Sequence, residues 1–176
     1  MLLHPKKDLA IVPPLLSARE IESVRSRRLR GWVRGGLVLI AAGLVAGFVL
    51  AYRLNPYKDG KVWYEETHTQ LRLPPCTFKW VTGLPCPSCG MTSSFSLLVH
   101  GDLWNSLLAN AVGTLLALFL MAVIPWNLAC AVRGRWVGVR SLESALLRVV
   151  LVFFTLLLVR WGLVVLFIHL EGQSLS

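Results

Sequence analysis

Residues 145–170 read ALLRVVLVFFTLLLVRWGLVVLFIHL and contain two arginines and no acidic residue. A helix rises about 1.5 Å per residue, so this stretch is long enough to cross the roughly 30 Å hydrocarbon core of a bilayer. Residues 36–53 and 106–132 are similarly apolar, with runs such as GLVLIAAGLVAG and LLALFLMAVI. The sequence therefore predicts an all-α integral membrane protein with three transmembrane helices.

The composition of the 176-residue chain points the same way. Hydrophobic residues make up 55% of the chain and charged residues 15%, whereas an average soluble domain has about a quarter charged residues. The net charge of +9 flanks the apolar stretches instead of forming one patch, so we expect no nucleic-acid partner. The expected surroundings are a lipid bilayer and a membrane-protein partner or a second copy of the chain.

Arginines and lysines also predict the orientation. The tail 1–34 is basic, and the short loop after the second apolar stretch carries Arg133, Arg135 and Arg140. The positive-inside rule places both in the cytoplasm. We therefore expect a cytoplasmic tail with a short amphipathic helix, a membrane domain over residues 35–176, and an extracytoplasmic loop over residues 54–105 that carries short helices.

That long loop contains the segment LPPCTFKWVTGLPCPSCGMT, residues 73–92, with three of the four cysteines. Glycine permits backbone angles closed to other residues and proline fixes φ, so a rigid turn is expected at Gly83, Pro85, Pro87 and Gly90. Residues 92–100 have helical character. The Cys-Pro-Ser-Cys turn then precedes a helix N-terminus, a position that favours thiolate over thiol.

This segment resembles the bacterial membrane family called domain of unknown function 2752. Its pattern is a cysteine, a Thr-Gly-x-Pro-Cys-Pro-x-Cys-Gly-x-Thr block, a Gly-Asp pair and an Asn-containing turn. Many members have an arginine where this chain has Ser93, so no role of that arginine is carried over. The resemblance implies a small protein of the bacterial inner membrane and supplies no reaction. The matching residues are Cys76, Thr82, Gly83, Cys86, Pro87, Cys89, Gly90, Thr92, Gly101, Asp102 and Asn110.

The three loop cysteines leave three interpretations open. A structural cap, with or without a disulfide from Cys76 to Cys86 or Cys89, fits an oxidising compartment. A reactive Cys86/Cys89 pair with Cys76 as resolving thiol suits thiol–disulfide exchange. Zinc bound by these cysteines and a histidine, His68 or His100, is the third.

The sequence favours the structural cap, because the Cys-x-x-Cys spacing lacks a thioredoxin-like βαβ context and zinc modules usually show two paired knuckles. It contains no Ser/His/Asp order, no paired carboxylates within the apolar stretches and no phosphate-binding loop. We therefore expect a non-enzymatic scaffold or accessory subunit with a rigid cysteine-rich recognition loop and no cofactor. A membrane thiol–disulfide oxidoreductase and a structural zinc protein remain the alternatives.

Polar residues within the apolar stretches complete the expected site. Arg160 lies about 18 Å along its helix from Arg148, and an unpaired charge inside a bilayer costs at least about 2.5 kcal/mol. We therefore predict that Arg160 faces the bundle and points toward the cysteine loop. Asp102 is expected to cap the second helix, Asn110 to face other helices, and Pro125 to kink that helix.

Overall fold

The structure, a computed structural model, describes residues 29–139 and 141–174, and the side chains of these up to residue 170. Residues 1–28, which include the predicted amphipathic helix of the tail, and Arg140 lie outside the described residues.

The described chain is mostly helical, and three of its helices are long and apolar enough to cross a membrane. This confirms the predicted fold class, including the short helices of the long loop. The helices extend a few residues beyond the predicted stretches. In chain order the elements are α1 (Gly31–Arg53), β1 (Tyr57–Lys58), β2 (Lys61–Val62), a 3-10 helix (Thr67–Leu71), α2 (Thr77–Thr82), α3 (Met91–Val99), α4 (Leu103–Arg133) and α5 (Leu142–Ser174).

Helices α1 and α4 form an antiparallel pair. At one end Leu37 packs against Cys130 and Ala131, and Arg34 Nε donates a hydrogen bond of 2.6 Å to the Ala131 carbonyl. At the other end the Tyr57 hydroxyl, just after α1, donates to Asp102, just before α4, over 2.9 Å. The small antiparallel sheet of β1 and β2 follows α1 directly.

Helix α3 packs between α1 and α4 through small polar side chains. Ser93, Ser94 and Ser96 are buried, as is Leu97. The Ser96 hydroxyl donates to the Leu54 carbonyl at the end of α1, over 3.0 Å. Small residues let helix backbones approach closely, and their hydroxyl groups satisfy one another where water is absent.

Helix α4 is broken at Asn110, whose φ of −160° and ψ of 100° are not helical. Its side-chain Oδ1 accepts a hydrogen bond of 2.9 Å from the Gly113 backbone N–H. Asn110 therefore caps the second part of α4. Pro125, where a kink was predicted, lies inside the helix, and the residue with non-helical backbone angles is Asn110. The break occurs where a side chain replaces the lost backbone bonds.

Helix α5 lies at the periphery, and no residue in its most apolar stretch is buried within the chain. Its Phe153 ring contacts Phe119 of α4 at a centroid distance of 5.7 Å. Nearer its C-terminal end, α5 contacts the long loop, and that contact brings α5 to the cysteines.

Candidate metal centre

Three cysteines meet where the starts of α2 and α3 come together. The Sγ atoms of Cys76, Cys86 and Cys89 all lie within 4.8 Å of one another. The sulfur atoms of Cys86 and Cys89 are 3.4 Å apart, which is longer than the roughly 2.05 Å of a disulfide bond. Cys89 is buried and the other two are half-buried.

Two glycines in left-handed conformations shape the turn. Gly83, at φ 71°, ends α2, and its N–H donates to the Lys79 carbonyl. Gly90, at φ 79°, precedes α3, and a Cβ atom there would lie 2.5 Å from the Ala109 carbonyl oxygen. The Cys89 N–H closes the turn by donating to the Cys86 carbonyl over 3.0 Å. Only glycine suits position 90, because the positive φ disfavours other residues and the Ala109 backbone leaves no space for a side chain.

Hydrogen bonds from α4 and α5 fix the cysteine turn to the membrane helices. Asn110 Nδ2 donates to the Cys89 carbonyl over 3.0 Å, and Trp161 Nε1 donates to the Pro85 carbonyl over 2.8 Å. Arg160 donates to the Ala109 carbonyl over 3.0 Å, next to Gly90. Arg160 therefore points toward the cysteine loop, the direction predicted from its position in an apolar helix.

The site lies far along the membrane helices. From Arg133 to Ala109, α4 rises about 36 Å, which exceeds the roughly 30 Å of a hydrocarbon core. Arg160 meets α4 at Ala109. If Arg133 marks one boundary of the core, the cysteine cluster lies near the opposite boundary.

Cys86 and Cys89 differ in electrostatic environment. Burial raises the pKa of Cys86, but hydrogen bonds with Ser88, Cys89 and Cys76 together outweigh burial, so this pKa lies below its ordinary value. Burial and the contact with Cys86 raise the pKa of the Cys89 thiol to about 12. Contacts with neighbouring side chains therefore favour the thiolate at Cys86, whereas burial disfavours it at Cys89.

The other predicted residues lie at the helix ends near the cluster or line its cavity. Asp102 caps α4 by accepting from the Asn105 N–H over 3.2 Å, and Gly101 before it has φ 85°. The Thr82 hydroxyl donates to the Phe78 carbonyl over 2.7 Å and helps to close α2. Thr92 lines the cavity on which the cysteines open. The structure gives no contact to which a role of Pro87 can be tied.

The structure does not bring His100 to the three cysteines. His100 follows the last turn of α3, whereas Cys89 precedes the first turn, and about 15 Å of helix separates such positions. Its Nδ1 contacts the Ser96 carbonyl at 2.8 Å, and its ring stacks on Tyr52 at 5.0 Å. His100 therefore does not fit as a ligand beside the three thiols.

A cavity of about 400 Å³ opens on the cysteines, and residues of the 3-10 helix line it as well. Thr67 anchors this helix: its buried Oγ1 lies 2.5 Å from the Ser93 hydroxyl of α3. Sequence reasoning missed Thr67, Ser93 and Trp161. No sequence signal joins Thr67 to Ser93, because they are 26 positions apart and the whole cysteine turn lies between them. For Trp161 the sequence offered one indication of a role at the site, its position next to Arg160.

Comparison with known proteins gives a match that covers the cysteine segment and the first part of α4. Residues 76–124 match the family described as "Protein of unknown function (DUF2752)", which confirms the resemblance seen in the sequence. The match begins at the first cysteine of the cluster and includes the break in α4. Neither the curated proteins nor the solved structures contain a match to this chain.

Proposed function

We propose that this protein is a non-enzymatic membrane scaffold or accessory subunit whose loop is held rigid by zinc bound to Cys76, Cys86 and Cys89. The observation that carries the proposal is the convergence of the three sulfur atoms within 4.8 Å. With Zn–S bonds of about 2.3 Å, tetrahedral thiolate ligands lie about 3.8 Å apart. Small side-chain rotations suffice to reach that spacing. Thiolate donors also suit zinc better than magnesium or calcium.

A zinc ion at this position would join two short helices that share few contacts otherwise. Cys76 precedes α2, while Cys86 and Cys89 precede α3, and α3 is already packed between the membrane helices. Fixing Cys76 would therefore fix α2 relative to the bundle. Binding energy at structural zinc sites is folding energy, so the metal would order the loop.

The surface that such a fixed loop presents is apolar. Trp80 and Val81 of α2 are 84% and 68% exposed, and α2 begins at the residue after Cys76. Tryptophan is typical of membrane–water boundaries and of protein interfaces. A membrane-protein partner that contacts this face would meet it in a constant position.

The orientation and the compartment are parts of the same proposal. Arg133 and Arg135, between α4 and α5, support the cytoplasm for that end of the bundle. The cysteine loop then faces the extracytoplasmic side of a bacterial cytoplasmic membrane. A metal-bound cluster would also protect its thiols from oxidation there, because a thiolate bound to zinc is a weaker nucleophile than a free thiolate.

Metal analysis of protein purified in detergent without chelator tests the proposal. We expect about one zinc per chain, and loss of most of it in Cys76→Ser, Cys86→Ser and Cys89→Ser. The matched control is Cys130→Ala, because Cys130 is buried between α1 and α4, away from the cluster. Zinc-free wild-type protein, or equal zinc in the control and the three serine variants, would contradict the proposal.

Thiol–disulfide exchange is the second candidate, and the unequal Cys86 and Cys89 thiols favour it. The Cys86 thiolate would attack a disulfide of a partner protein, form a mixed disulfide and release one partner thiolate. Deprotonated Cys89 would then attack Cys86 Sγ, release the second partner thiolate and leave Cys86 and Cys89 oxidised. This candidate requires a zinc-free protein whose Cys86–Cys89 disulfide equilibrates with dithiol buffers. The zinc scaffold predicts no such equilibrium.

A further inference from the structure

Three cysteines leave one position of a tetrahedral zinc site to be filled. Structural zinc sites have four protein ligands, whereas catalytic sites keep one position open to water or substrate. The cavity of about 400 Å³ beside the cluster is lined by two further side chains of ligand type, Glu66 and His68. Which of them takes the fourth position decides the charge of the site.

One nitrogen of the His68 ring contacts a backbone carbonyl, as the nitrogen that does not bind the metal does in zinc-binding histidines. Its Nε2 lies 3.2 Å from the carbonyl oxygen of Pro74, two residues before Cys76. Metal-binding histidines nearly always donate their other ring N–H to a carbonyl or carboxylate, which fixes the tautomer. With the proton on Nε2, the lone pair of Nδ1 is free to bind metal.

The backbone around His68 is held in an uncommon conformation. The 3-10 helix Thr67–Leu71 is bracketed by Glu66 at φ 61° and Arg72 at φ 59°, left-handed angles that non-glycine residues seldom adopt. Such residues persist where surrounding structure over-determines them, and they cluster at functional sites. Here the buried contact between Thr67 and Ser93 of α3 supplies that restraint, and the neighbouring His68 lines the same cavity as Cys89.

From this arrangement we propose that His68 is the fourth zinc ligand, bound through Nδ1, and that the site is a closed Cys₃His centre. The inference rests on the proposed function, since it assumes zinc at the three cysteines. Charge favours His68 over Glu66. Zinc with three thiolates carries one negative charge, which neutral imidazole leaves unchanged and a carboxylate doubles. Lys79 is already paired with Glu65, so it is not free to neutralise that second negative charge.

Zinc competition with a chelator and cobalt substitution, both on the full-length protein in detergent, test the proposal. His68→Ala should weaken zinc binding at least about 10- to 100-fold and change the visible spectrum of the cobalt form. Glu66→Gln and the matched histidine control His100→Ala should retain the wild-type affinity and spectrum. His68→Cys should bind cobalt with the stronger sulfur-to-metal charge-transfer absorption of a fourth thiolate, a gain of signal that a misfolded variant would not give.

The outcomes distinguish a failure of the His68 assignment from a failure of the proposed zinc site. Wild-type protein without zinc, or zinc retained in Cys86→Ser, overturns the proposed function and the His68 assignment together. Zinc in the wild type with unchanged affinity and spectrum in His68→Ala overturns only the His68 assignment. A loss of affinity in Glu66→Gln but not in His68→Ala would transfer the fourth position to Glu66.

Discussion

At the scale of single residues, the two cysteines of the Cys-x-x-Cys turn should behave differently once metal is removed. The pKa of Cys86 lies below its ordinary value and that of Cys89 is raised to about 12. Only the thiolate reacts with iodoacetamide. Labelling of Cys86 should therefore be faster and level off at lower pH, while that of Cys89 still rises in alkaline buffer. Mass spectrometry of chelator-stripped Cys130→Ala protein measures both rates, and identical pH profiles would contradict this assignment.

Arg160 is the second prediction at this scale. Arg160→Leu removes the donor to the Ala109 carbonyl and leaves a buried acceptor unsatisfied, a cost of about 1–3 kcal/mol. We expect a lower Tm in detergent and a smaller yield. Arg160→Lys keeps a donor and should lose less. If the leucine variant is as stable as the wild type, the contact with Ala109 contributes nothing to the fold.

The sequence predicted the direction of Arg160 but not its partner. A charge in an apolar helix must face protein or water, and the long loop was the polar region on that side. The partner is a carbonyl next to the break in α4, and that break depends on Asn110 bonding both Gly113 and Cys89. A contact between residues 51 apart follows from the packed structure and not from any local pattern.

At the scale of elements, Gly83 and Gly90 form a matched pair for mutation. Both have positive φ, but only Gly90 is crowded by the Ala109 backbone, and no atom lies within 4 Å of a Cβ built on Gly83. Gly83→Ala should cost about 1–2 kcal/mol from the backbone angle alone. Gly90→Ala should cost clearly more, because a backbone must move. Thermal unfolding in detergent measures the difference, and equal losses would argue against close packing of the turn on α4.

The elements also divide into those that a local pattern predicts and those that it does not. Hydrophobic length predicted α1, α4 and α5, and Asp102 before an apolar run predicted the start of α4. The kink predicted at Pro125 stays a prediction, and no local pattern predicted the break at Asn110, whose side-chain oxygen caps the following turn. The 3-10 helix with Thr67 and His68 had no periodic pattern, since its position depends on the contact with Ser93.

At the scale of the whole molecule, labelling of single introduced cysteines measures the orientation in the membrane. In Cys130→Ala protein, zinc should shield the native cysteines, so one introduced thiol reports its own side. Trp80→Cys, at an exposed position of α2, should react with an impermeant maleimide on intact cells. Ser141→Cys, between α4 and α5, should react only after permeabilisation. The reverse pattern would place the cysteine loop in the cytoplasm.

The organisation of the molecule follows from where each helix finds its partners. Helices α1, α3 and α4 share a tightly packed interface of small residues, whereas α5 contacts α4 through Phe153 and Arg160 and the long loop through Trp161. Two of these three residues reach the cysteine turn or the α4 backbone beside it. The cluster is therefore the place where the loop, the paired helices and the peripheral helix meet, and a metal there would stabilise all three together.

Zinc K-edge X-ray absorption on the purified wild-type protein tests the central claim most directly. Binding by Cys76, Cys86, Cys89 and one imidazole predicts a shell of three sulfur atoms at about 2.3 Å and one nitrogen atom at about 2.0–2.1 Å. A spectrum with only oxygen and nitrogen neighbours, or protein without zinc, would contradict it.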